Sequence, residues 1–264
     1  MSRRSPLITV MAAAADKASR ALIRDFNEVE NLQVSRKGTD DFVTAADLKA
    51  GKTLVEELSK ARPGFGFMTG ESKPIPARDG RSRFIVDPLD GTRNFIHSVP
   101  QACISIAAEQ DGELVAGVIF DPLRDELFWA EKGHGAWVNQ RRLRVSRRDR
   151  LKDCLVAHGH AAGESEEDRA RFLGQMARVL RQTRDLRHMG AAALNLAYVA
   201  AGRFDAFWED GLKSWNIAAG IVLVREAGGY VTDTDGGPVS LRNGSVLAAN
   251  PHVHSRIHKA LAGR

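Results

Sequence analysis

The chain has 264 residues, of which 43% are hydrophobic and 27% charged, with a formal net charge of +5 at pH 7. These fractions are close to the averages for soluble globular proteins. No run approaches the length of about eighteen apolar residues that a membrane helix requires, and the first residues lack a signal-peptide pattern. The sequence therefore offers no transmembrane helix, and we expect a cytoplasmic enzyme or binding protein.

The positive charge is concentrated in one segment, residues 141–150, which holds six arginines. Such a segment could steer anionic substrates or contact nucleic acid, but a solvated connector is the interpretation that we favour. Cys103 and Cys154 lie far apart in apolar surroundings, and we interpret both as reduced packing residues rather than as a metal or redox pair.

The first half of the chain begins with helical periodicity. Apolar residues at three- and four-residue steps predict helices over residues 7–30 and 45–61, with a polar loop over residues 31–41 between them. Short β-like runs follow, separated by Pro and Asp-Gly turn signals. These predicted strands cover residues 65–68, 84–86, 104–108, 115–120 and 126–130.

The second half alternates helices and strands. Predicted strands cover residues 155–157, 204–208 and 246–249, and predicted helices cover residues 166–181, 190–201 and 215–226 and begin again at Pro251. This order predicts a layered α+β to α/β fold. We expect an α+β part over residues 1–145 that carries most candidate metal ligands, and an α/β part over residues 146–264. The two would form one compact unit with its hinge near residues 140–150.

The segment over residues 84–95 carries the strongest chemical signal. A buried strand delivers Asp87 and Asp90 into a turn set by Pro88 and Gly91. Two carboxylates and the carbonyl oxygens between them suit a hard cation such as Mg²⁺. The alternative is an ordinary Asx-Pro turn whose aspartates bind local N–H groups.

Two further acidic residues strengthen the metal interpretation. Glu71 follows a predicted strand, and Asp47 lies in the first turn of the predicted helix over residues 45–61. In isolation Asp47 is typical of a carboxylate that stabilises a helix N-terminus, and Glu71 of a surface residue. Together with Asp87 and Asp90 they place four carboxylates at element ends within the first third of the chain.

At this point the sequence resembles a known family. The stretch Asp87-Pro88-Leu89-Asp90-Gly91-Thr92, followed by Asn94-Phe95 and His97, is similar to the first signature of the inositol monophosphatase family. Residues 215–220 and 226–229 resemble its second signature, and residues 41–47, 70–71 and 190–194 match the family pattern in order. The resemblance covers nearly the whole chain and implies a layered α/β/α/β/α sandwich.

The resemblance also implies a role for each matching residue in a Mg²⁺-dependent phosphatase with two or three ions. The implied metal ligands are Glu71, Asp87, the carbonyl oxygen of Leu89, Asp90 and the residue at position 216. The implied catalytic residues are Glu71, Thr92 and Asp47, with Thr92 orienting the attacking water and Asp47 accepting the threonine proton. The implied substrate contacts are Gly91, Thr92, Gly190, Ala191, Ala192 and Glu209. A homodimer is also implied.

Several positions depart from the family pattern. Asn216 stands where the family has aspartate, so the second metal site loses one negative charge. Three interpretations stay open: a higher Mg²⁺ requirement, lost activity, or a deliberate substitution. Ser72 replaces a common glutamate and Ala191 a common serine, while Arg93 adds a positive charge beside the phosphate site. Arg187 is either an anion contact or a surface residue, and Glu209 is a solvated strand-end acid if it does not bind substrate.

Two functions compete at this stage. The first is hydrolysis of inositol monophosphate or a related sugar or polyol phosphate, with fructose 1,6-bisphosphate, histidinol phosphate and adenosine 3′,5′-bisphosphate as alternative substrates. The second is a binding protein on a phosphatase scaffold, which would contact nucleic acid or an acidic partner through residues 141–150. The set Asp47, Glu71, Asp87, Asp90 and Thr92 favours the enzyme, because clustered carboxylates without cations repel one another.

Overall fold

A computed structural model describes residues 4–28, 34–37, 41–70, 73–160 and 165–263, with side chains described outside residues 34–37 and 41–44. Glu71 and Ser72 therefore lie outside the described residues. Within them the helices are α1 (Pro6–Phe26), α2 (Ala45–Ala61), α3 (Thr92–Ile96), α4 (Glu166–Gln182), α5 (Ala192–Ala200), α6 (Ser214–Glu226) and α7 (His254–Ala262). None of these helices is long and apolar enough to cross a bilayer.

Two helices begin at serine caps, as their sequences favour. The Ser5 hydroxyl accepts a hydrogen bond from the Ile8 N–H at 3.2 Å, and Pro6 follows at the first helical position of α1. The Ser165 hydroxyl accepts from the Asp168 N–H at 3.1 Å at the start of α4. Each cap satisfies a backbone donor that has no partner within its helix, which fixes the first turn.

The larger sheet has seven strands in the order β3-β4-β5-β6-β7-β8-β9. Its strands are β3 (Gly66–Thr69), β4 (Ser82–Asp90), β5 (Cys103–Gln110), β6 (Glu113–Asp121), β7 (Glu126–Glu131), β8 (Gly135–Val138) and β9 (Arg141–Arg142). Only the β3–β4 pair is parallel. The turn between β5 and β6 is Asp111-Gly112, both with positive φ (52° and 79°), as the Asp-Gly signal predicts.

The smaller sheet has five strands in the order β11-β10-β12-β14-β13. Its strands are β10 (Leu155–His158), β11 (Asp185–His188), β12 (Ala206–Glu209), β13 (Tyr230–Thr232) and β14 (Val246–Ala249). Strand β10 runs parallel to both β11 and β12, so the carboxyl ends of these three strands meet at one edge of the sheet. A separate antiparallel pair is formed by β1 (Val34–Lys37) and β2 (Asp41–Thr44).

Helices and sheets stack in five layers. A first hydrophobic core joins α1 and α2 to one face of the seven-stranded sheet. A second core fills the centre, where α5 and α6 separate the two sheets. A third core packs α4 and α7 on the outer face of the five-stranded sheet. This confirms the predicted α/β/α/β/α sandwich.

The central layer is closely packed at its glycines. A Cβ on Gly117 of β6 would lie 2.6 Å from the Ala219 carbonyl oxygen of α6, and one on Gly220 would lie 2.4 Å from Leu196 of α5. Both distances are too short for any real side chain, so these glycines allow α6 to approach β6 and α5. The position of α6 matters because its first turn carries Asn216.

The predicted loop over residues 31–41 is wrong for residues 34–37, which form β1, and for Asp41, which begins β2. Residues 31–33 and 38–40 lie outside the described residues. The sequence Val34-Ser35-Arg36-Lys37 has one apolar residue and no alternating pattern, so the strand could not be predicted from hydrophobic periodicity. The change of sheet falls between Arg142 and Leu155, near the predicted hinge. The division into parts at residues 145 and 146 stays a prediction, since the central core contains residues of both.

Candidate active site

Strand β4 ends in the aspartate turn that the sequence singles out. Its pairing with β5 is regular as far as Asp87 and resumes at Asp90, with a shift of register between them. Gly91 follows with φ +89°, a conformation that favours glycine, and begins α3. Helix α2 approaches the turn at Gly51, where a Cβ would lie 3.1 Å from Pro88 Cγ. The bulge, the glycine turn and this close helix together fix the direction of both aspartates.

Three carboxylates are buried at this turn: Asp47, Asp87 and Asp90 are 4%, 6% and 7% exposed. Burial raises the pKa of Asp87 well above its usual range, and the negative charges of Asp90 and Asp47 raise it further. Burial also raises the pKa of Asp90 to about 6. The ionised forms are thus destabilised by low dielectric and by mutual repulsion, and a bound cation would relieve both.

Asp90 is held by the start of α5. The Ala193 N–H donates to Asp90 Oδ2 at 2.7 Å. The Ala192 N–H also donates to this carboxylate, and both bonds lower the pKa against the larger effect of burial. These N–H groups belong to the first turn of α5 and have no acceptor within the helix. Asp90 therefore serves as the acceptor for a helix N-terminus on a different layer, which ties the turn to the central helices.

The main chain between the two aspartates is also ordered by hydrogen bonds. The Leu89 N–H donates to Asp87 Oδ1 at 3.2 Å, and the Thr92 hydroxyl donates to the Leu89 carbonyl oxygen at 2.8 Å. That oxygen keeps a second lone pair, which is available to a cation. Because the hydroxyl proton of Thr92 points to Leu89, the proposed Thr92–Asp47 relay stays a prediction.

Asn216 reaches the same cluster from the first turn of α6. Its Nδ2 donates to Asp87 Oδ2 at 2.7 Å, while its Oδ1 accepts from the Lys213 N–H at 3.0 Å. The two partners settle the amide orientation, since a carboxylate can only accept and an N–H can only donate. The oxygen that would bind a metal is therefore engaged in capping α6. Its role as a metal ligand stays a prediction.

The segment over residues 190–192 lies against the aspartate turn, and its role as a substrate contact stays a prediction. The Asn94 Nδ2 donates at 2.8 Å to the carbonyl oxygens of both Gln101 and Met189. A Cβ on Gly91 would lie 3.2 Å from the Ala191 Cβ. Gly190 has φ +72°, so a side chain there would be strained. The turn after β4 and the start of α5 are thus brought together by Asn94, whose role the sequence motif did not specify.

The remaining predicted residues lie on the five-stranded sheet or at the surface. Glu209 is the half-buried last residue of β12, with its carboxylate directly over Gly159. Arg187 forms an ion pair with Asp185 at 2.5 Å on strand β11. Arg93 is exposed. An anion contact at Arg187 stays a prediction.

The donors at this site suit a divalent cation. In the part of the chain that the structure describes, no three His, Cys, Asp or Glu side chains are arranged as a preformed metal site. Glu71, the fourth candidate carboxylate, lies outside that part. The oxygen donors of Asp87, Asp90 and Leu89 nevertheless match the preference of Mg²⁺, and the two buried carboxylates are destabilised without a positive charge. On this chemistry the residues fit the metal.

Comparisons with known proteins identify the family and the fold. The sequence model described as "Inositol monophosphatase family" matches residues 3–263. The inositol-1-monophosphatase of Mesorhizobium japonicum is 50% identical over 259 residues, covering 98% of this chain and 97% of that protein. The Nus factor SuhB of Pseudomonas aeruginosa is 40% identical over 248 residues, covering 93% and 92%. A crystal structure of the extragenic suppressor protein suhB from Bartonella henselae superimposes with a TM-score of 0.94 at 51% identity, covering 97% and 98%.

Proposed function

Because the chain belongs to the inositol monophosphatase family, we propose that it is a Mg²⁺-dependent phosphatase of inositol monophosphate or a related sugar or polyol phosphate. Membership supports phosphomonoester hydrolysis with divalent metal ions; the metal identity and the substrate are the proposed steps. The observation that carries the proposal is the buried pair Asp87 and Asp90, whose pKa values are raised at the end of one strand. A cation beside this pair would offset both the burial of the two anions and their mutual repulsion.

Asp87, Asp90 and the Leu89 carbonyl would hold the ions, together with Glu71. Bound Mg²⁺ would supply an activated water and stabilise charge on the leaving oxygen. The chain itself positions these ligands, through the Ala193 N–H on Asp90 and the Asn216 amide on Asp87. We propose two or three ions, with weaker binding on the Asn216 side because an amide replaces a charged ligand.

The phosphate would lie at the turn formed by Gly91 and Thr92. The first N–H groups of α3 have no acceptor within the helix, and such groups bind anions. In the structure the Gly91 N–H is directed at Asp90 and lowers its pKa. The Thr92 hydroxyl, now on Leu89, would orient the attacking water, with Asp47 as its proton acceptor. The alcohol portion of the substrate would contact residues 190–192 and the Glu209 carboxylate, which can accept hydrogen bonds from ring hydroxyls.

The test is a Mg²⁺ titration of phosphate release from a panel of esters. The panel contains inositol 1-phosphate, fructose 1,6-bisphosphate, histidinol phosphate and adenosine 3′,5′-bisphosphate, with Asp87→Asn as the inactive control. We expect the largest kcat/KM for inositol 1-phosphate and no release without the metal. Rapid release from another ester with none from inositol 1-phosphate would refute the proposed substrate. Metal-independent release would refute the proposed chemistry.

A second candidate is binding of nucleic acid or an acidic protein, which the name of the Pseudomonas aeruginosa relative also suggests. The observation in its favour is an open cavity of about 820 Å³ that is rich in arginine. It is lined by Arg148, Asp153, Leu155, Arg184, Asp185, Arg187 and Arg203. Three of these arginines pair with acids, namely Arg148 with Asp205, Arg187 with Asp185 and Arg203 with Glu126, which reduces the available charge. We therefore rank binding second.

Salt-dependent retention on immobilised RNA separates the two candidates. Retention that is lost in Arg184→Glu but kept in a matched surface variant, Arg171→Glu, would support binding through the cavity. Mg²⁺-stimulated phosphatase activity without such retention would support the enzyme and refute the binding protein. We also propose that the protein is cytoplasmic and that it forms a homodimer. Sedimentation equilibrium would test the homodimer.

A further inference from the structure

The carboxylate of Glu209 lies where a side chain on Gly159 would be. Glu209 ends β12, and Gly159 follows the last residue of its parallel neighbour β10. A Cβ built on Gly159 would lie 1.7 Å from Glu209 Oε2, 2.0 Å from Cδ and 2.5 Å from Oε1. The whole carboxylate group therefore lies against the bare Cα of Gly159. Of the glycines described, this one would suffer the shortest contact with a carboxylate.

The glycine is required here for space rather than for backbone conformation. Gly159 is not among the residues with positive φ, so its backbone is open to any L-amino acid. Gly159 is also buried, and its N–H donates to the Trp208 carbonyl oxygen at 3.1 Å, which extends the β10–β12 pairing by one step. An alanine could adopt this backbone, but its methyl group and the Glu209 carboxylate cannot share one position.

The backbone that carries Glu209 cannot yield easily. Strand β12 is paired on both sides, with β10 and with β14, where Glu209 faces Val246. The next residue is anchored as well, since the Thr234 hydroxyl donates to Asp210 Oδ1 at 2.8 Å and lies 2.7 Å from the Ser245 hydroxyl. A methyl group at position 159 would therefore displace the flexible end of Glu209, by roughly 1.5–2 Å to reach ordinary contact distance. The fold itself would persist.

We propose that Gly159 is a positioning residue, which sets the specificity for the alcohol portion of the substrate by leaving room for the Glu209 carboxylate. This inference rests on the proposed function, in which Glu209 accepts hydrogen bonds from polyol hydroxyls. A carboxylate moved by more than 1 Å no longer meets hydroxyls held by a phosphate bound elsewhere in the site, because hydrogen bonds weaken steeply with distance and angle. Gly159 contacts no reacting atom and acts only through Glu209.

The experiment is a double-mutant cycle on two esters. Gly159→Ala, Glu209→Ala and the double variant are assayed with inositol 1-phosphate and with p-nitrophenyl phosphate, which has no hydroxyl for Glu209. We expect Gly159→Ala to raise the KM for inositol 1-phosphate about tenfold, since hydrogen bonds to charged groups are worth this much or more. Its effect on kcat and on p-nitrophenyl phosphate should stay below about twofold. In the Glu209→Ala background, adding Gly159→Ala should change nothing further.

The matched control is Gly64→Ala, because a Cβ on Gly64 meets nothing within 4 Å and its φ is also not positive. The positioning role would be overturned if Gly159→Ala raised KM equally in the wild-type and Glu209→Ala backgrounds. It would also be overturned if Gly159→Ala reduced the activity equally on both esters. The proposed function fails separately, through absence of Mg²⁺-dependent release by the wild-type chain from either ester. If Glu209→Ala left the KM for inositol 1-phosphate unchanged while phosphate release stayed intact, the role of Glu209 would be refuted. The positioning role of Gly159 would fail with it, but the proposed phosphatase function would stand.

Discussion

The two sheets place the predicted site carboxylates in different surroundings. The seven-stranded sheet carries Asp87 and Asp90, whose carboxylates are buried and accept hydrogen bonds from backbone N–H groups. The five-stranded sheet carries Glu209, a half-buried carboxylate beside a glycine. Between the sheets, the central helices contribute neutral groups: the Asn216 amide and the first N–H groups of α5.

We interpret this difference as a separation of the proposed metal chemistry from the proposed substrate recognition. Buried charges that repel one another are costly, and a protein retains them where a cation or a reaction needs them. A half-buried acid at a strand end costs little and can change partners. We therefore expect changes on the seven-stranded sheet to alter kcat and metal dependence, and changes on the five-stranded sheet to alter KM and substrate preference.

The largest effect should come from Asp90→Asn. The asparagine oxygen can still accept from the Ala193 N–H, so the turn is kept while one ligand charge is lost. We expect kcat/KM for Mg²⁺-dependent release to fall about a thousandfold, the equivalent of several kcal/mol. Without metal, the melting temperature should not fall, because a destabilised buried charge has been removed. Added Mg²⁺ should raise it less than in the wild type.

Asp111→Asn is the control for that comparison. Asp111 lies exposed at the β5–β6 turn and pairs with Arg81 at 2.5 Å, so it shares the chemical change but not the burial. Its activity and metal-induced thermal shift should match the wild type. If Asp90→Asn behaved like Asp111→Asn, the seven-stranded sheet would not carry the metal chemistry.

Thr92→Val should have the next largest effect. Valine keeps the shape of threonine but removes the hydroxyl that donates to the Leu89 carbonyl oxygen. We expect kcat to fall about a hundredfold with little change in KM, which is the size of effect typical for a group that assists proton transfer. Thr92→Ser should restore most of the rate. A serine variant as slow as the valine variant would assign Thr92 a packing role instead.

Asn216→Asp tests the central helices, which lie between the two sheets. It restores a full charge beside Asp87, so we expect the Mg²⁺ concentration for half-maximal activity to fall about tenfold. Without metal, the new carboxylate would meet Asp87 Oδ2, now 2.7 Å from the Asn216 amide, and the melting temperature should fall. Asn27→Asp, at the exposed end of α1, is the matched surface change. Identical Mg²⁺ titration curves for wild type and Asn216→Asp would remove position 216 from the metal site.

The smallest effect concerns stability on the five-stranded sheet. Burial, together with the neighbouring His188 and His160, lowers the pKa of His158 to about 4. Between pH 6.5 and about 4 the unfolded chain binds this proton and the folded chain does not, so acidification should reduce the free energy of unfolding. The slope is at most about 1.4 kcal/mol per pH unit. Urea unfolding at pH 7 and pH 5 should show a smaller difference for His158→Phe, and an unchanged difference would contradict this origin.

Much of the fold could be predicted because its elements are long or clearly punctuated. The helix over residues 45–61 has the predicted bounds, and so does the strand over residues 246–249. Strand β11 escaped prediction, since Asp185-Leu186-Arg187-His188 is an edge strand with one apolar residue and no alternating pattern. The short helix α3 escaped as well, because five residues cannot display a helical period.

Some features of the candidate site could likewise be predicted from the sequence, and others could not. Asp87 and Asp90 stand in one segment, so their proximity follows from local turn chemistry. The bond from the Ala193 N–H to Asp90 joins residues 103 positions apart through a backbone group, which no side-chain pattern records. The orientation of the Asn216 amide likewise depends on the Lys213 N–H, a product of where α6 begins. Ligand roles for all these residues stay predictions.

Helix α6 limits how this site can change. Its first turn binds Asp87, its middle lies against Gly117 of β6, and Gly220 leaves room for Leu196 of α5. A helix held at three points on two layers cannot slide or tilt to adapt the site to a different ion or ester. A change in the preferred ion or ester must then come from substitutions of single side chains on a fixed backbone. The amide at position 216 is a difference of this kind, because the same helix can present a donor or an acid without moving.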